Sequence, residues 1–476
     1  MNRFKIAALS LALQGALPAA YAEVNLIAIG SVNGAYEDLA WESATPLENG
    51  VAGNRLGGLG SGLAYAGGNT FLALPDRGPN ATAYDAAIDN TTSYIPRFQT
   101  LSLSLAPSEA GAPLPFVLTP MLRDTTLLHS RTRLAYAPGG APALNAESRR
   151  YYFSGRSDNF DGRRSSLNPN NGRLDPEGIR VSPNGATVFI SDEYGPYVYQ
   201  FDRRSGQRLR AFKLPESFGA AKLSAVGDSE IAANTSGRVA NKGMEGLAIS
   251  PDGSTLYGIM QSPLLQDGGT SAPYVRIVRI DVASGAVRQY AYELTNTGTA
   301  AKPKYGSVSE ILAVNDHEFL VDERDGKGLG DDSAAGFKRL YHIDLDGAAE
   351  VSHLSGAANL AGKAVGKNLF LDLVAAFNAA GIASVDIPAK IEGMAFGPSV
   401  TQAGRTRHTL FIANDNDFLP TVTDGDHPQG ADNPNKFFVF AFDGEDLPNL
   451  LLPQIARFES CGDRRGGRDE EFDGSR

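Results

Sequence analysis

The sequence predicts an all-β chain that closes into a β-propeller of six blades, with the ring sealed by strands from the N- and C-terminal parts of the chain. Three observations carry that expectation: the turn-rich composition, a sheet unit that recurs along the chain, and turn chemistry at the same place in each recurrence. The 476 residues include 53 Gly and 27 Pro against five Met and one Trp. Gly supplies positive φ and Pro fixes φ near −65° at turn positions, so this composition implies many tight turns and short strands.

Five segments share one plan. They are GLGSGLAYAGGNTFLALPDRGP from Gly58, LDPEGIRVSPNGATVFISDEYGP from Leu174, KGMEGLAISPDGSTLYGIMQSP from Lys242, SVSEILAVNDHEFLVDERDG from Ser307, and KIEGMAFGP followed by HTLFIANDNDF from Lys390. Each opens on a polar residue, usually Glu followed by Gly. An alternating apolar strand, a turn and a second apolar strand follow, and the unit closes on Asp or Asn, except that the third closes on Gln261. The turns Ser182-Pro183-Asn184-Gly185 and Ser250-Pro251-Asp252-Gly253 are hairpin signals. A third alternating strand comes next in YVYQFDRRSGQ, YVRIVRIDVASGA, FKRLYHIDLDG and FFVFAFDGE.

Blades are therefore expected near 57–105, 174–215, 243–295, 307–355 and 391–445, with 110–165 as the sixth. The strand VNLIAIGSV, which follows the first 22 residues, is expected to pair with FFVFAF and close the ring, removing open sheet edges. A helical periodicity over 368–382 reads as an insertion. A β-sandwich or two smaller β domains would show similar strands and turns, but not the long-range recurrence of the Glu-Gly start.

The first 22 residues read as a secretory signal: Arg3 and Lys5 precede the apolar run Ile6 to Leu17, and Ala20-Tyr21-Ala22 offers the small residues of a cleavage site. The expected organisation is a signal over 1–22, a single domain over 23–460 and a polar, disordered tail over 461–476. No other stretch approaches about 18 uninterrupted apolar residues, so no transmembrane segment is expected. Cys461, the one cysteine, leaves no intramolecular disulfide. The formal charge is −11, and −13 once Arg3 and Lys5 leave with the signal. That surface disfavours nucleic acid and anionic lipid. The expected location is periplasmic or secreted, the expected state a monomer, and the expected partner a small anionic or ester substrate.

In a propeller the innermost strand of each blade lines the channel, so equivalent positions become neighbours. Glu177, Glu245, Glu310 and Glu392 hold one such position, with Ser61 in the first blade. Carboxylates crowded at one mouth repel each other unless a cation or shared protons neutralise them. Ca²⁺, which takes six to eight oxygen ligands, is the natural occupant. A second acidic set ends the hairpin partners: Asp76, Asp192 with Glu193, Asp322 with Glu323, and Asn414 to Asp417. Strand-end acids also cap turns, so each of these has a structural reading as well. Arg77, Lys242, Arg324 and Lys390 stand close to the acids in sequence, as does Arg173, and suit either an anionic substrate or simple charge neutralisation.

Other motifs fail. There is no G-x-S-x-G elbow and no G-x-G-x-x-G after a strand, and GKAVGKN lacks the Ser or Thr of a phosphate loop. Of six histidines, His317 and His342 read as structural and His427 as a loop residue near the acidic cluster.

Read in order, GGLGSGLAY with LPDRGPN, LDPEGIRVSP with ISDEYGP, NKGMEGLAISPDG, SEILAVNDHEFLVDER, and KIEGMAF with LFIANDND resemble the phytase-like bacterial proteins described by an esterase-like activity of phytase. The resemblance runs from about Gly57 to Asp443. It implies an exported β-propeller hydrolase of phosphomonoesters or other esters. The Glu-Gly strand starts are also similar to those of calcium-dependent propeller lactonases, where such residues hold the channel metal. The resemblance makes Glu177, Glu245, Glu310, Glu392, Asn414 and Asp415 the expected metal ligands. Glu245, Glu392 and Glu177 are then the expected catalytic carboxylates, and Arg77, Lys242, Arg324 and Lys390 the expected substrate contacts. The alternatives are a non-catalytic, calcium-stabilised binding propeller and a lactonase-type hydrolase.

Overall fold

The computed structural model describes residues 24–81 and 88–456. The expected signal over 1–22 and the tail from 461, with Cys461, lie outside them. The described residues form five four-stranded antiparallel sheets. Blade 1 comprises Gly62–Tyr65, Thr70–Leu74, Arg97–Pro107 and Phe116–Leu127, and blade 2 Pro176–Val181, Thr187–Asp192, Tyr197–Asp202 and Arg208–Lys213. Met244–Ile249, Thr255–Met260, Tyr274–Asp281 and Val287–Glu293 build blade 3. Blade 4 is made of Ser307–Ala313, Glu318–Arg324, Lys338–Asp344 and Lys367–Asp372. Blade 5 takes Lys390–Gln402, Arg405–Asp415 and Asn435–Phe442 from the C-terminal part and Asn25–Val32 from the N-terminal part.

The ring closure expected from VNLIAIGSV is present: Asn25–Val32 pairs antiparallel with Asn435–Phe442. Contacts between successive innermost strands run from blade 1 through blade 5 and back to blade 1. Strands bury both faces because alternate side chains enter the two flanking interfaces. Phe71 joins the cluster between blades 5 and 1, while its neighbour Leu72 joins the one between blades 1 and 2. The remaining three interfaces each hold their own apolar cluster.

Six blades are corrected to five among the described residues. Phe116–Leu127 is the outermost strand of blade 1, paired with Arg97–Pro107. Only a short ribbon, His129–Ser130 with Tyr151–Tyr152, follows within 110–165. The strand is long, alternates buried and exposed residues, and contains Pro120. An edge strand tolerates that Pro because one side of its backbone needs no ladder partner. The 368–382 periodicity is likewise divided: Lys367–Asp372 is the outer strand of blade 4, and Asp372 caps the helix Leu373–Ala379 by accepting from the Ala375 N–H.

The hairpin turns form as their sequences dictate. Gly185 and Gly253 adopt φ of +70° and +74°, and donate to the carbonyls of Ser182 and Ser250 at 2.8 Å.

Candidate functional site

The Glu-Gly repeat has a steric cause at the axis. In blades 2, 3 and 5 the ladder slips at this point, leaving Glu177-Gly178, Glu245 and Glu392-Gly393 out of register with their hairpin partners. A bulge of this kind re-aims a side chain. The glycine lets the next inner strand approach: a Cβ on Gly178 would lie 2.7 Å from the Leu247 nitrogen, one on Gly246 2.6 Å from the Ile311 nitrogen, and one on Gly393 2.8 Å from the Leu63 nitrogen. The Glu then turns into the channel mouth.

Glu177, Glu245 and Glu392 consequently line one cavity of about 330 Å³, together with Asp76, Glu193, Asp415 and the cations Arg77, Lys242, Arg324 and Lys390. Glu310 does not join them. In blade 4 the slip leaves Ser309, not Glu310, out of register, since Val308 pairs with Glu323 and Glu310 with Asp322. Ser309 thus occupies the Glu position and accepts from Arg324 Nε at 2.7 Å. Glu310, one residue on and fully buried, points down the channel to Arg180 at 2.9 Å and accepts from the Leu247 and Ile311 N–H groups. Arg180 also donates across the axis to the carbonyls of Leu63 and Ile311, each at 2.9 Å. This pair ties blades 1, 2 and 4 together beneath the cavity.

The strand-end acids divide by side-chain alternation. Asp415 faces the cavity, where Lys390 Nζ meets it at 2.9 Å and also meets Asp417. Asn414 faces away and accepts from the Lys436 N–H at 2.5 Å. Asn416 accepts from the N–H groups of Gly58 and Phe418, tying blade 5 to the start of blade 1. Asp192 is a turn cap, accepting from the N–H groups of Asp175 and Tyr194. Glu323 accepts from the Tyr292 hydroxyl and pairs with Lys367 away from the mouth. His427 sits between Asp424 at 2.8 Å and Asp386 at 3.1 Å, outside the cavity lining.

The expected cations are unequal. Arg77 meets Asp175 at 3.0 Å and bonds Asn241, Arg324 pairs with Glu392, and Lys390 is held by its two aspartates. Lys242 instead donates to a neutral group, Gln261 Oε1, at 3.2 Å. Gln261 in turn donates to Glu245 Oε1 at 2.7 Å, and Glu245 Oε2 has no hydrogen-bond partner among the described residues.

Six lining carboxylates face four lining cations, and the proton affinities follow. Burial, then Glu245 and Asp175, holds the Glu177 carboxyl well above the usual carboxylate range. Burial, then Glu193 and Glu392, does the same to Glu245. Glu193 is pushed up to about 7 by burial and Asp175, and Asp76 rises through burial and Asp415. Asp415 goes the other way: Lys390 holds it down against its burial.

One position fits a cation. Asp175, Glu177 and Glu193 each offer a carboxylate oxygen, all three within 4.8 Å of one another and buried. Oxygens bound to Ca²⁺ at 2.3–2.6 Å can lie no more than about 5 Å apart. The all-oxygen, multiply charged donor set suits a hard divalent ion. Asp175 has no acidic counterpart in the other repeats, and only its place two residues before Glu177 could have signalled it.

A 34% identical match over 163 residues, 29% of this chain and 31% of the relative, is an uncharacterized secreted protein of Arthroderma benhamiae; the chain thus spans about a third of that relative's length. Among solved structures, the periplasmic gluconolactonase of Pseudomonas aeruginosa is 13% identical, with 79% of this chain and 87% of that one covered and a TM-score of 0.30. A luciferin-regenerating enzyme is 11% identical, with 85% and 97% covered and a TM-score of 0.32. Likenesses at that level carry no weight for function. The family model for esterase-like activity of phytase matches residues 54–418, spanning all five innermost strands and running through the acidic end of the fifth blade's hairpin. The chain belongs to the phytase-like family.

Proposed function

We propose that this protein is an exported, metal-dependent hydrolase of phosphomonoesters or other esters, with calcium as its ion. The observation that carries the reading is the approach of Asp175, Glu177 and Glu193 to within 4.8 Å, at the wall of a cavity that also presents Glu245 Oε2 without a partner among the described residues. Asp175, Glu177 and Glu193 would hold the ion, which when bound supplies polarisation of an ester or phosphoryl oxygen and offsets its charge. Gln261 fixes one oxygen of Glu245 and leaves the other to take a proton from attacking water. The raised proton affinity of Glu245 suits a base working near neutral pH. Lys242, whose hydrogen-bond partner is neutral, binds the substrate anion. Glu392 and Arg324, and Lys390 with its aspartates, are mutually neutralised and shape the opposite wall. The signal-like first 22 residues and the name of the fungal relative support a periplasmic or secreted location.

A calcium-stapled binding propeller is the second reading, favoured by the pairing of Arg77, Arg324 and Lys390 with carboxylates. Turnover of p-nitrophenyl phosphate, phytate and short esters, measured with Ca²⁺ and with EDTA, separates the two. The hydrolase reading expects calcium-dependent turnover that Glu245→Gln abolishes without lowering Tm. Inactivity on every substrate in both conditions would leave only the binding reading.

A further inference from the structure

Against the mouth end of blade 1, where Arg97 opens the third strand, residues 37–41 turn the usual pattern of burial inside out. Asp38 and Ala40 point inward, 6% and 3% exposed, while Leu39 and Trp41 point outward at 53% and 80%. Trp41, the one tryptophan of the chain, opens the short 3-10 turn Trp41–Ser43, and Tyr36 is exposed as well. Single exposed apolar residues are ordinary. Two on one face, above a buried aspartate, call for a cause.

The outward face is fixed by charge. Asp38 Oδ2 accepts from Arg97 Nη1 at 2.7 Å and from Gln99 Nε2 at 3.1 Å, and Oδ1 accepts from the Ala40 N–H at 2.9 Å. Arg97, fully buried, also donates to the carbonyls of Ile95 and Gly53 at 2.9 and 2.8 Å and to Ser43 Oγ at 3.0 Å, and its guanidinium lies over the Tyr94 ring at 4.1 Å. Ala40 packs with Ile95, Leu127 and Tyr152, and the Leu39 N–H donates to Thr125 Oγ1 at 3.1 Å. A slip of one residue would bury Leu39 and Trp41 and expose Asp38, the arrangement that hydrophobicity alone favours. A buried ion pair adds little stability over apolar packing, but it can specify a register. Here it holds apolar side chains in water.

The surroundings of this face are acidic. Glu37 and Glu42 are exposed and pair with no cation among the described residues; Glu37 accepts from Asn54 Nδ2 at 3.4 Å. The neighbouring cations are engaged elsewhere: Arg97 by Asp38, Arg156 by Glu48 and Asp158, and half-buried Arg55 by the Gly34 carbonyl. We infer that this face docks a partner protein through a basic, amphipathic segment, with apolar side chains on Leu39 and Trp41 and Lys or Arg groups facing Glu37 and Glu42. A tryptophan ring attracts cations, and a rigid aromatic anchor within a polar rim is the arrangement that concentrates binding energy in protein contacts. The same carboxylates repel anionic lipid and nucleic acid. The inference does not depend on the hydrolase reading.

The probes are a helical peptide of Lys and Leu in amphipathic spacing and its counterpart with Glu in place of Lys, neither containing Trp. Because Trp41 is the chain's one tryptophan, its emission reports this face and not the acidic mouth. The native protein is expected to show a saturable blue shift with the Lys/Leu peptide, weakened by salt, and none with the Glu/Leu peptide. Leu39→Ser keeps every charge and the reporter, and the double variant Glu37→Gln with Glu42→Gln keeps the apolar face. Each should weaken binding by roughly tenfold or more. No saturable shift with the Lys/Leu peptide, an equal shift with the Glu/Leu peptide, or native affinity in either variant would overturn the docking surface. A shift with phosphatidylcholine vesicles or neutral oligosaccharides, in the absence of one with the Lys/Leu peptide, would overturn the protein partner.

Discussion

Replacing Arg180 by Met should separate the two roles that the axial glutamates play. Arg180 bridges three blades through Glu310 and the carbonyls of Leu63 and Ile311. Without it Glu310, 0% exposed, keeps only its two backbone donors. Its carboxyl, already pushed up to about 7 by burial against the pull of Arg180, would rise further and become protonated. Removing one partner of a buried pair costs about 3–5 kcal/mol. At roughly 2 cal/mol/K of unfolding entropy per residue, a chain of this size changes Tm by about 1 °C per kcal/mol. Arg180→Met should therefore lower Tm by about 3–5 °C. Because Glu310 lies beneath the cavity and not in its wall, the added stability conferred by Ca²⁺ should be unchanged, and the same holds for Glu310→Gln. The assay is a thermal melt of each variant with and without Ca²⁺. A Tm within a degree of the native value, or a calcium response lost in Glu310→Gln, would refute the assignment of Glu310 to the structural pair.

Gly246→Val should destabilise by about 1–3 kcal/mol, as overpacking does, because a Cβ there meets the Ile311 nitrogen at 2.6 Å; urea denaturation measures it. Lys242→Met should raise KM for an anionic substrate far more than it lowers kcat, since Lys242 neutralises no carboxylate by direct contact among the described residues; steady-state kinetics on p-nitrophenyl phosphate read the split. His129 supplies the pH test. Its pKa is lowered to about 4 by burial and by Arg150, against about 6.5 unfolded. Between those values the unfolded chain binds a proton that the folded chain does not, so stability falls as pH drops from 6.5 through 4. His129→Gln should lose less stability than the native protein between pH 7 and 4.5, as read by urea midpoints.

The ring was legible because its physics repeats: in four of the five blades the innermost strand bulges at the mouth, and in three of them Glu-Gly stands where the backbones meet. The same logic explains the error at Glu310. Blade 4 has Glu310-Ile311 where blades 2, 3 and 5 have Glu-Gly and blade 1 has Ser61-Gly62, and the missing glycine was the sign that Glu310 stood one residue out of step, with Ser309 at the bulge. Blade number was less legible, since the outermost strand of blade 1 contains a Pro and alternates like an independent sheet element. Asp175 has no acidic counterpart in the other repeats, and it reaches the cation position through the turn that Asp192 caps. Side-chain alternation, which sends Asp415 inward and Asn414 outward, depends on register that the string of four polar residues does not reveal by itself.

The central claim, that Asp175, Glu177 and Glu193 build one cation position at the propeller mouth, is tested most directly by calcium titration of the native protein and of Glu177→Gln and Glu193→Gln. Calorimetry should register calcium binding in the native protein. At about 100 times Kd the ion should add about 2.7 kcal/mol of stability, and each variant should lose most of both effects. A native protein that does not bind calcium, or two variants that bind it as tightly as the native chain, would contradict the account.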